Sequence, residues 1–419
     1  MEPQGQKEKA ILVGCGPSSH KWEIRSSLEE LERLAETSQA DVLAKVIQFR
    51  DQIDPSWLIG RGKAEEIVQL AEEKAADLVI FDQELSPAQV RNLERLFPCK
   101  VIDRTQLILD IFAQRARTRE GRLQVELAQL EYMLPRLAGR GKELSRLGGG
   151  IGTRGPGEKK LETDRRHIQR QIRVLKRELE EVKKHRQLHH QRRKKMDLIQ
   201  VALVGYTNAG KSTLLNRLTG SEVYAENQLF ATLDPTTRLL QLPSGKKVLL
   251  TDTVGFIRNL PHQLVAAFRS TLEQVTVADL LLHVVDASHP EAGEQMEAVE
   301  KVLKELGAAH LPILTVYNKA DRTDLTPGRE TDETSIHISA FDDQDILRLK
   351  EKIEQVIFHE QIEGRAEIPV ERGEWISALY RSAEILSSKV TELSIQIEFR
   401  LPLHEFERLS PELKRYIRT

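Results

Sequence analysis

The segment LIQVALVGYTNAGKSTLLNRLTG, residues 198–220, decides the fold of the largest part of this chain. An apolar run leads into Gly205, four residues separate it from Gly210-Lys211-Ser212, and a helix-forming sequence follows. Glycines at these positions let backbone N–H groups approach a phosphate, and the helix N-terminus favours its negative charge. The segment therefore predicts an α/β domain whose first loop binds the phosphates of a nucleotide.

Two further motifs follow in the order that a nucleotide switch requires. FATLDPTTR contains Thr232, whose hydroxyl we expect to complete a Mg²⁺ shell when a γ-phosphate is present. KVLLTDTVG is a predicted strand ending at Asp252, which we expect to hold Mg²⁺ through water, while the N–H of Gly255 meets the γ-phosphate. Lys211 is expected to reach the β- and γ-phosphates, and the Ser212 hydroxyl to ligate Mg²⁺.

The base-binding motif favours guanine. PILTVYNKAD is a predicted strand followed by Asn318, Lys319 and Asp321. The carboxylate of Asp321 can accept hydrogen bonds from both N1–H and the 2-amino group of guanine, whereas adenine offers no such pair of donors. Asn318 is expected to tie the base loop to the phosphate loop, and IHISA to form a second base-side loop. The sequence therefore predicts GTP and GDP as ligands.

The predicted site combines these motifs. We assign catalysis to Lys211, Thr232, Asp252 and Gly255, and Mg²⁺ coordination to Ser212 and Thr232. The residues expected to contact the nucleotide are Gly205, Tyr206, Thr207, Asn208, Ala209, Gly210, Lys211, Ser212, Thr213, Phe230, Ala231, Thr232, Leu233, Asp234, Asp252, Thr253, Val254, Gly255, Asn318, Lys319, Ala320, Asp321, Ser339 and Ala340.

The residue after Gly255 raises a question about hydrolysis. Many GTPases carry there a glutamine that orients the attacking water. This chain carries Phe256, whose ring can neither donate nor accept a hydrogen bond. The motifs therefore do not identify the group that positions the water.

Length and composition indicate a multidomain protein of the cytosol. A chain of 419 residues is expected to form about two to four domains, and its two cysteines are too few for a disulfide framework. Neither a secretory signal nor a membrane-spanning run is recognisable. We predict a small α/β subdomain over 1–112, a helical hairpin over 113–197, the nucleotide domain over 198–364 and a small α/β domain over 365–419.

The first of these domains shows alternating strand and helix patterns, which indicate a mainly parallel sheet. The predicted strands are AILVG, VLAKVIQF, DLVIFD and CKVID, and the predicted helices are SLEELERLAE, KAEEIVQLAEEKAA and SPAQVRNLERLF. In the last domain, AEIPVE and TELSIQIEFRLP are predicted strands, and WISALYRSAEILSS, residues 375–388, is a predicted helix.

The predicted hairpin is strongly basic. Residues 114–195 carry 24 Lys and Arg against 10 Asp and Glu, a formal charge of +14, whereas the rest of the chain carries 38 against 54. Leucine and isoleucine at heptad spacing predict two helices that pack as an antiparallel pair, with Pro135 bending the first near its end. The connection GGGIGTRGPGE, residues 148–158, must be an irregular loop. We favour an RNA-contacting probe over a passive turn, and both interpretations stay open.

Together, GYTNAGKS, FATLD, DTVGF, NKAD and the GGGIGTRGPGE loop resemble the HflX family of the Obg–HflX group of translational GTPases. The resemblance spans nearly the whole chain and implies a GTP-hydrolysing, Mg²⁺-dependent factor. It implies binding to the large ribosomal subunit and its rRNA, separation of stalled or idle ribosomes, and a glycine-rich tip near the peptidyl-transferase centre. A phenylalanine after the glycine of DTVG agrees with this family, so the missing glutamine does not indicate an inactive protein.

The resemblance also suggests how the water is handled. Asn208 matches an asparagine that some related GTPases use to coordinate K⁺ beside the phosphates, and the ribosome is the other candidate for completing the site. We expect a monomer with no membrane partner. The alternatives are a non-catalytic GTP-dependent RNA-binding module and a nucleoside kinase, for which the sequence shows no acceptor site.

Overall fold

The computed structural model describes residues 7–137, 156–195, 198–221, 228–258, 272, 274–322, 334–359, 361–391, 393–402, 406 and 409–418. These residues form three β-sheets with packed helices, one sheet for each predicted α/β unit. Among the helices of these ranges, none combines the length and apolar character that a membrane span needs. The α/β multidomain class predicted from the sequence is confirmed.

The N-terminal domain has the predicted alternation of strands and helices. Its elements are β1 (Lys9–Gly16), α1 (Lys21–Thr37), β2 (Asp41–Phe49), α2 (Arg61–Glu73), β3 (Leu78–Phe81), α3 (Pro87–Leu96) and β4 (Lys100–Asp103). The strands pair in parallel in the order β2-β1-β3-β4. Helix α3 begins at the predicted Ser-Pro because Ser86 and Gln89 cap each other's backbone N–H groups.

Three helices connect this domain to the nucleotide domain: α4 (Arg104–Arg115), α5 (Arg119–Leu137) and α6 (Pro156–Lys195). The sequence did not predict α4, because apolar residues on nearly all of its faces hide the helical period. Helices α5 and α6 pack through the predicted apolar seam, in which Leu123, Leu127, Ile172 and Leu175 are buried. Helix α6 already begins inside the predicted loop, at Pro156, and residues 148–155 lie outside the described ranges.

The central domain is built on a six-stranded sheet. Its elements are β5 (Gln200–Gly205), α7 (Lys211–Thr219), β6 (Thr236–Gln241), β7 (Lys247–Asp252), β8 (Leu280–Asp286), α8 (Ala292–Glu305), β9 (Ile313–Asn318), β10 (Ser335–His337) and α9 (Asp343–His359). The order is β10-β9-β8-β5-β7-β6, and the edge strand β6 alone runs antiparallel to its neighbour. Strand β5 lies inside the sheet between β8 and β7, and all of its residues are buried. Its carboxyl end therefore lies near the middle of the sheet edge, where ligands of such folds bind.

The C-terminal domain is an antiparallel sheet in which one prediction was wrong. Its elements are β11 (Gln361–Pro369), α10 (Gly373–Ser382), β12 (Glu384–Val390), β13 (Ser394–Pro402), α11 (Pro411–Lys414) and β14 (Ile417–Arg418), with the order β12-β13-β11-β14. The helix predicted over 375–388 ends at Ser382, because the following residues pair with β13 instead. The predicted boundary after residue 364 falls inside β11.

The N-terminal and nucleotide domains share one hydrophobic core. A single buried cluster includes Phe112 of α4 together with Tyr206, Phe230 and Phe256 of the nucleotide domain. The Tyr206 hydroxyl also donates a hydrogen bond to Glu30 of α1. This contact attaches the loop after β5 to the N-terminal domain.

Candidate guanine-nucleotide site

Backbone geometry explains the glycines of the loop between β5 and α7. Gly205 has φ +152°, and a Cβ there would lie 2.2 Å from the carbonyl oxygen of Val284. Gly210 has φ +98°, and a Cβ there would lie 2.3 Å from Nδ2 of Asn318. Only glycine fits both positions without displacing backbone or a buried amide.

Lys211 is the first residue of α7 and points back into the loop. The side chain is buried, and its Nζ donates to the carbonyl oxygens of Gly205 at 3.1 Å and Tyr206 at 2.8 Å. Burial lowers the pKa of Lys211 to about 8, and the charge of Asp252 opposes this shift. A phosphate oxygen would restore the stability of the ammonium that burial removes.

Three oxygen-bearing side chains converge beside Lys211. The Ser212 hydroxyl donates to Oδ2 of Asp252 at 2.6 Å, and the Thr232 hydroxyl does so at 3.1 Å. The two hydroxyl oxygens are 2.8 Å apart. Oδ1 of Asp252 is buried and has no hydrogen-bond partner among the described residues, and burial raises the pKa of this carboxyl. Two hydroxyls and a carboxylate are hard oxygen donors, so this cluster fits Mg²⁺.

The turn after Asp252 is fixed against the phosphate-binding loop by backbone hydrogen bonds. Phe256 N–H donates to Gly205 O at 3.1 Å, and Thr207 N–H donates to Phe256 O at 2.8 Å. A Cβ on Gly255 would lie 2.8 Å from Cα of Thr207. The ring of Phe256 is 1% exposed and belongs to the shared core. Its side chain is therefore packed in the core and does not line the pocket formed by Lys211, Ser212 and Thr232.

The base-side residues are joined to the phosphate side as predicted for Asn318. Its Nδ2 donates to Ala209 O at 2.9 Å, and its Oδ1 accepts from the Ala340 N–H at 3.1 Å. Lys319 Nζ donates to Asn208 O at 2.9 Å and pairs with Asp286 at 2.6 Å. Asp286, at the end of β8, was missed from the sequence, although its place at the carboxyl end of a parallel strand was the signal for it.

The other predicted residues occupy several environments. Asp321 and Ala320 lie in a short 3₁₀ turn, with Asp321 exposed, and Ser339 is buried beside Ala340. Leu233 and Val254 are buried in the shared core, and Asp234 faces the N-terminus of α5. One pocket is lined by most of the predicted phosphate-side residues: Thr207, Asn208, Gly210, Lys211, Ser212, Thr213, Phe230, Ala231, Thr232, Thr253 and Gly255. Gln228 also lines this pocket, and sequence reasoning missed it.

A cleft of about 910 Å³ adjoins this pocket. It lies between α1 and the nucleotide domain, and it is also lined by Thr207, Asn208 and Gln228. Arg25 and Arg33 of α1 line it as well. The phosphate side of the site is therefore reachable from the space between the two domains.

Comparison with known proteins places this geometry in a family. Residues 25–113 match the family described as GTP-binding GTPase N-terminal, residues 115–193 the GTP-binding GTPase Middle Region, and residues 200–319 the 50S ribosome-binding GTPase. The chain is 53% identical to the GTPase HflX of Alkalihalophilus pseudofirmus, an alignment that covers 92% of this chain and 91% of that protein. The chain belongs to the HflX family of GTPases.

Other relatives extend the HflX similarity over almost the full length. Identity is 50% to the GTPase HflX of Caldanaerobacter subterraneus subsp. tengcongensis, over 96% of this chain and 93% of that one. It is 45% to the GTPase HflX of Escherichia coli K12, over 96% and 95%. A crystal structure of a GTP-binding protein from Sulfolobus solfataricus in complex with GDP is 26% identical over 83% of this chain and 98% of that chain, with a TM-score of 0.44. As an HflX family member, the chain is a guanine-nucleotide-binding GTP hydrolase.

Proposed function

We propose that this GTPase binds the large ribosomal subunit in its GTP form, separates ribosomes into subunits and leaves after hydrolysis. The observation that carries the proposal is the cluster of Ser212, Thr232 and Asp252, which joins the two predicted switch segments at one point. Loss of a γ-phosphate at such a point releases both segments. The match of residues 200–319 to the 50S ribosome-binding GTPase family supports the ribosome as the partner.

In this proposal the phosphate side uses Lys211 and the cluster of Ser212, Thr232 and Asp252. Lys211 turns from its carbonyl partners to the β- and γ-phosphates, and the N–H of Gly255 meets the γ-phosphate. Ser212, Thr232 and Asp252 would hold Mg²⁺, and the unpartnered Oδ1 of Asp252 leaves an acceptor for that role. When bound, Mg²⁺ neutralises charge that develops on the phosphate oxygens.

On the base side, Asp321 accepts from the guanine donors. The Asp321 side chain is exposed, so its carboxylate is accessible to a ligand. Asn318 keeps this loop at a fixed distance from the phosphate loop through its two buried hydrogen bonds. The stem of Lys319 covers the base, and Ser339 and Ala340 close the other side.

Water positioning falls to a group other than Phe256, because the ring of that residue lies in the core. A group from the ribosome could enter through the cleft that reaches Thr207 and Asn208. The second candidate is K⁺ held by Asn208. This residue has a left-handed backbone, with φ +62°, and it lines the phosphate-side pocket. Either group would supply positive or polar stabilisation that the free protein lacks.

The basic hairpin is the proposed contact with rRNA. Its formal charge of +14 over residues 114–195 suits a polyanion, and the described parts of α5 and α6 pack against each other. Arg173 and Lys176 are among the described cations of α6. Phosphate contacts of this kind predict binding that weakens as salt rises.

Co-sedimentation with separated ribosomal subunits tests the proposal. The full chain should pellet with large subunits in a non-hydrolysable GTP analogue and remain in the supernatant in GDP. Light scattering of assembled ribosomes should fall when the chain and GTP are added. Equal binding in both nucleotides, or GTP-dependent binding without any fall in scattering, would contradict the proposed cycle.

A further inference from the structure

The segment that carries Thr232 is packed on the corner between α4 and α5. The Gln228 side chain accepts a hydrogen bond from Arg115, the last residue of α4. The ring of Phe230 meets that of Phe112 edge to face, with centroids 4.7 Å apart. Phe230 has φ +55°, an unfavourable backbone conformation for an aromatic residue. Contacts with α4 therefore accompany a strained backbone in this segment.

Asp234 makes the most specific of these contacts. Its Oδ2 accepts from the backbone N–H groups of Arg117 at 2.9 Å and Thr118 at 2.8 Å. Its Oδ1 accepts from the Thr118 hydroxyl, which in turn accepts from the N–H of Gly121 at 2.9 Å. The carboxylate thus sits at the N-terminus of α5, where negative charge is favoured. With both oxygens engaged, Asp234 is held at the start of the hairpin.

The helix leaves room for this carboxylate through a glycine. A Cβ added to Gly121 would lie 2.5 Å from Oδ1 of Asp234, closer than such atoms can approach. Glycine is otherwise a poor choice inside a helix, where alanine is favoured. The space at Gly121 and the acid at Asp234 therefore fit each other across the two domains.

Only one residue, Leu233, separates Asp234 from Thr232. The Thr232 hydroxyl already lies within hydrogen-bond distance of Ser212 and Asp252. A shift of α5 would move Asp234, and through two peptide units it would move Thr232 relative to that cluster. The first turn of the basic hairpin and the predicted metal site are thus mechanically connected.

We propose that Asp234 is a positioning residue that couples the hairpin to hydrolysis by holding Thr232 in place. The partner that would act through it is the ligand of the hairpin: engagement of α5 fixes Asp234, and Asp234 fixes Thr232. The inference rests on the proposed role of Thr232 at the metal. It does not require ribosome splitting, because the coupling exists within the free chain.

The variant Gly121→Ala tests the coupling without touching the nucleotide domain. It should lower kcat about threefold to thirtyfold, the equivalent of one lost helix cap, with little change in KM for GTP. It should also raise the Mg²⁺ concentration for half-maximal activity. In nucleotide-free protein, hydrogen exchange of residues 228–236 should become faster. The matched control is Gly62→Ala, also in the first turn of a helix but with open space at its Cβ, which should change none of these values.

A double-mutant cycle separates the proposed contact from general damage. Asp234→Ala should reproduce the effects of Gly121→Ala, and adding Gly121→Ala to it should cost nothing further, because the clashing carboxylate is gone. Thr118→Ser, which keeps the hydroxyl, should behave as the parent, and Thr118→Val should resemble Asp234→Ala. Because Asp234→Ala removes only a partly exposed side chain, it remains informative if Gly121→Ala does not fold.

Two results would overturn the inference. One is additive losses in the cycle, which would mean that Gly121 and Asp234 act separately. The other is faster exchange at 228–236 with unchanged kcat and Mg²⁺ dependence, which would reduce Asp234 to a structural contact. Failure of the proposed ribosomal function would look different, since large subunits would then not affect even the parent chain.

Discussion

Substitution of Phe256 tests how this GTPase hydrolyses GTP without a glutamine after Gly255. Its ring is 1% exposed in the core shared with the N-terminal domain, so Phe256→Ala should cost about 3–5 kcal/mol of folding free energy. The two backbone hydrogen bonds to Gly205 and Thr207 do not involve the ring and should persist. We therefore expect folded Phe256→Ala to retain most of its ribosome-stimulated turnover.

Phe256→Gln gives the sharper outcome. The amide would replace a ring inside an apolar cluster, where an unpaired polar group costs about a further 1–3 kcal/mol. Because this position faces the core, the introduced glutamine should not speed hydrolysis by the free protein. Restoring the residue type found in many GTPases would thus destabilise the protein without improving it.

The assay combines urea unfolding with single-turnover GTP hydrolysis, measured with and without large ribosomal subunits and normalised to folded protein. Phe81→Ala is the matched control, since Phe81 is fully buried in a separate cluster of the N-terminal sheet. It should lose similar stability with unchanged turnover. The reasoning fails if folded Phe256→Ala loses turnover by more than an order of magnitude while Phe81→Ala does not. It also fails if Phe256→Gln accelerates hydrolysis by the free protein tenfold.

Four further predictions follow from the site and the hairpin. Asp321→Asn should weaken GTP binding by about 1.5–3 kcal/mol, as expected for a charged hydrogen bond, and improve relative binding of xanthosine triphosphate, which equilibrium titration would show. Deletion of residues 149–157 with a short closing turn should preserve GTP affinity and impair subunit separation; parental light-scattering kinetics would instead support a passive turn. Replacing K⁺ with Na⁺ should slow turnover in the parent but not in Asn208→Ala. Burial lowers the pKa of His283 from 6.5 to about 4. Neutral His283 therefore contributes about 3 kcal/mol to the free energy of unfolding above pH 6.5, and this contribution is lost as the pH falls to 4. His283→Gln should flatten this part of the profile of unfolding free energy against pH, whereas His310→Gln, at an exposed position, should not.

Local patterns were informative where backbone and side-chain chemistry act over a few residues. The alternation of apolar runs with helical patterns predicted all four strands of the N-terminal sheet, and the leucine seam predicted that α5 and α6 pack together. The spacing of Gly205 and Gly210 predicted a loop whose dihedral angles and close contacts now explain both glycines. These features are readable because each depends on the period of one element or the conformation of one turn.

Patterns failed where long-range pairing outweighed local preference. Residues after Ser382 have a helical pattern but form β12, since pairing with β13 satisfies their backbone groups and most of their side chains face solvent. Helix α4 was missed because burial on nearly all faces removed its amphipathic period. In both cases, neighbours distant in sequence decided the outcome.

The sequence by itself predicted the chemical groups of this protein: a phosphate loop, a carboxylate expected to bind guanine, a threonine expected to sense the γ-phosphate, and a basic hairpin. Only the tertiary structure decided how those parts are connected. It buried Phe256 in the core, so the ring of that residue does not position the attacking water. It also placed the Asp234 carboxylate at the N-terminus of α5, beside Gly121, 113 residues earlier in the chain. Motifs report which groups are available, whereas the direction each side chain faces depends on packing between domains, and that packing is set by contacts no short segment contains.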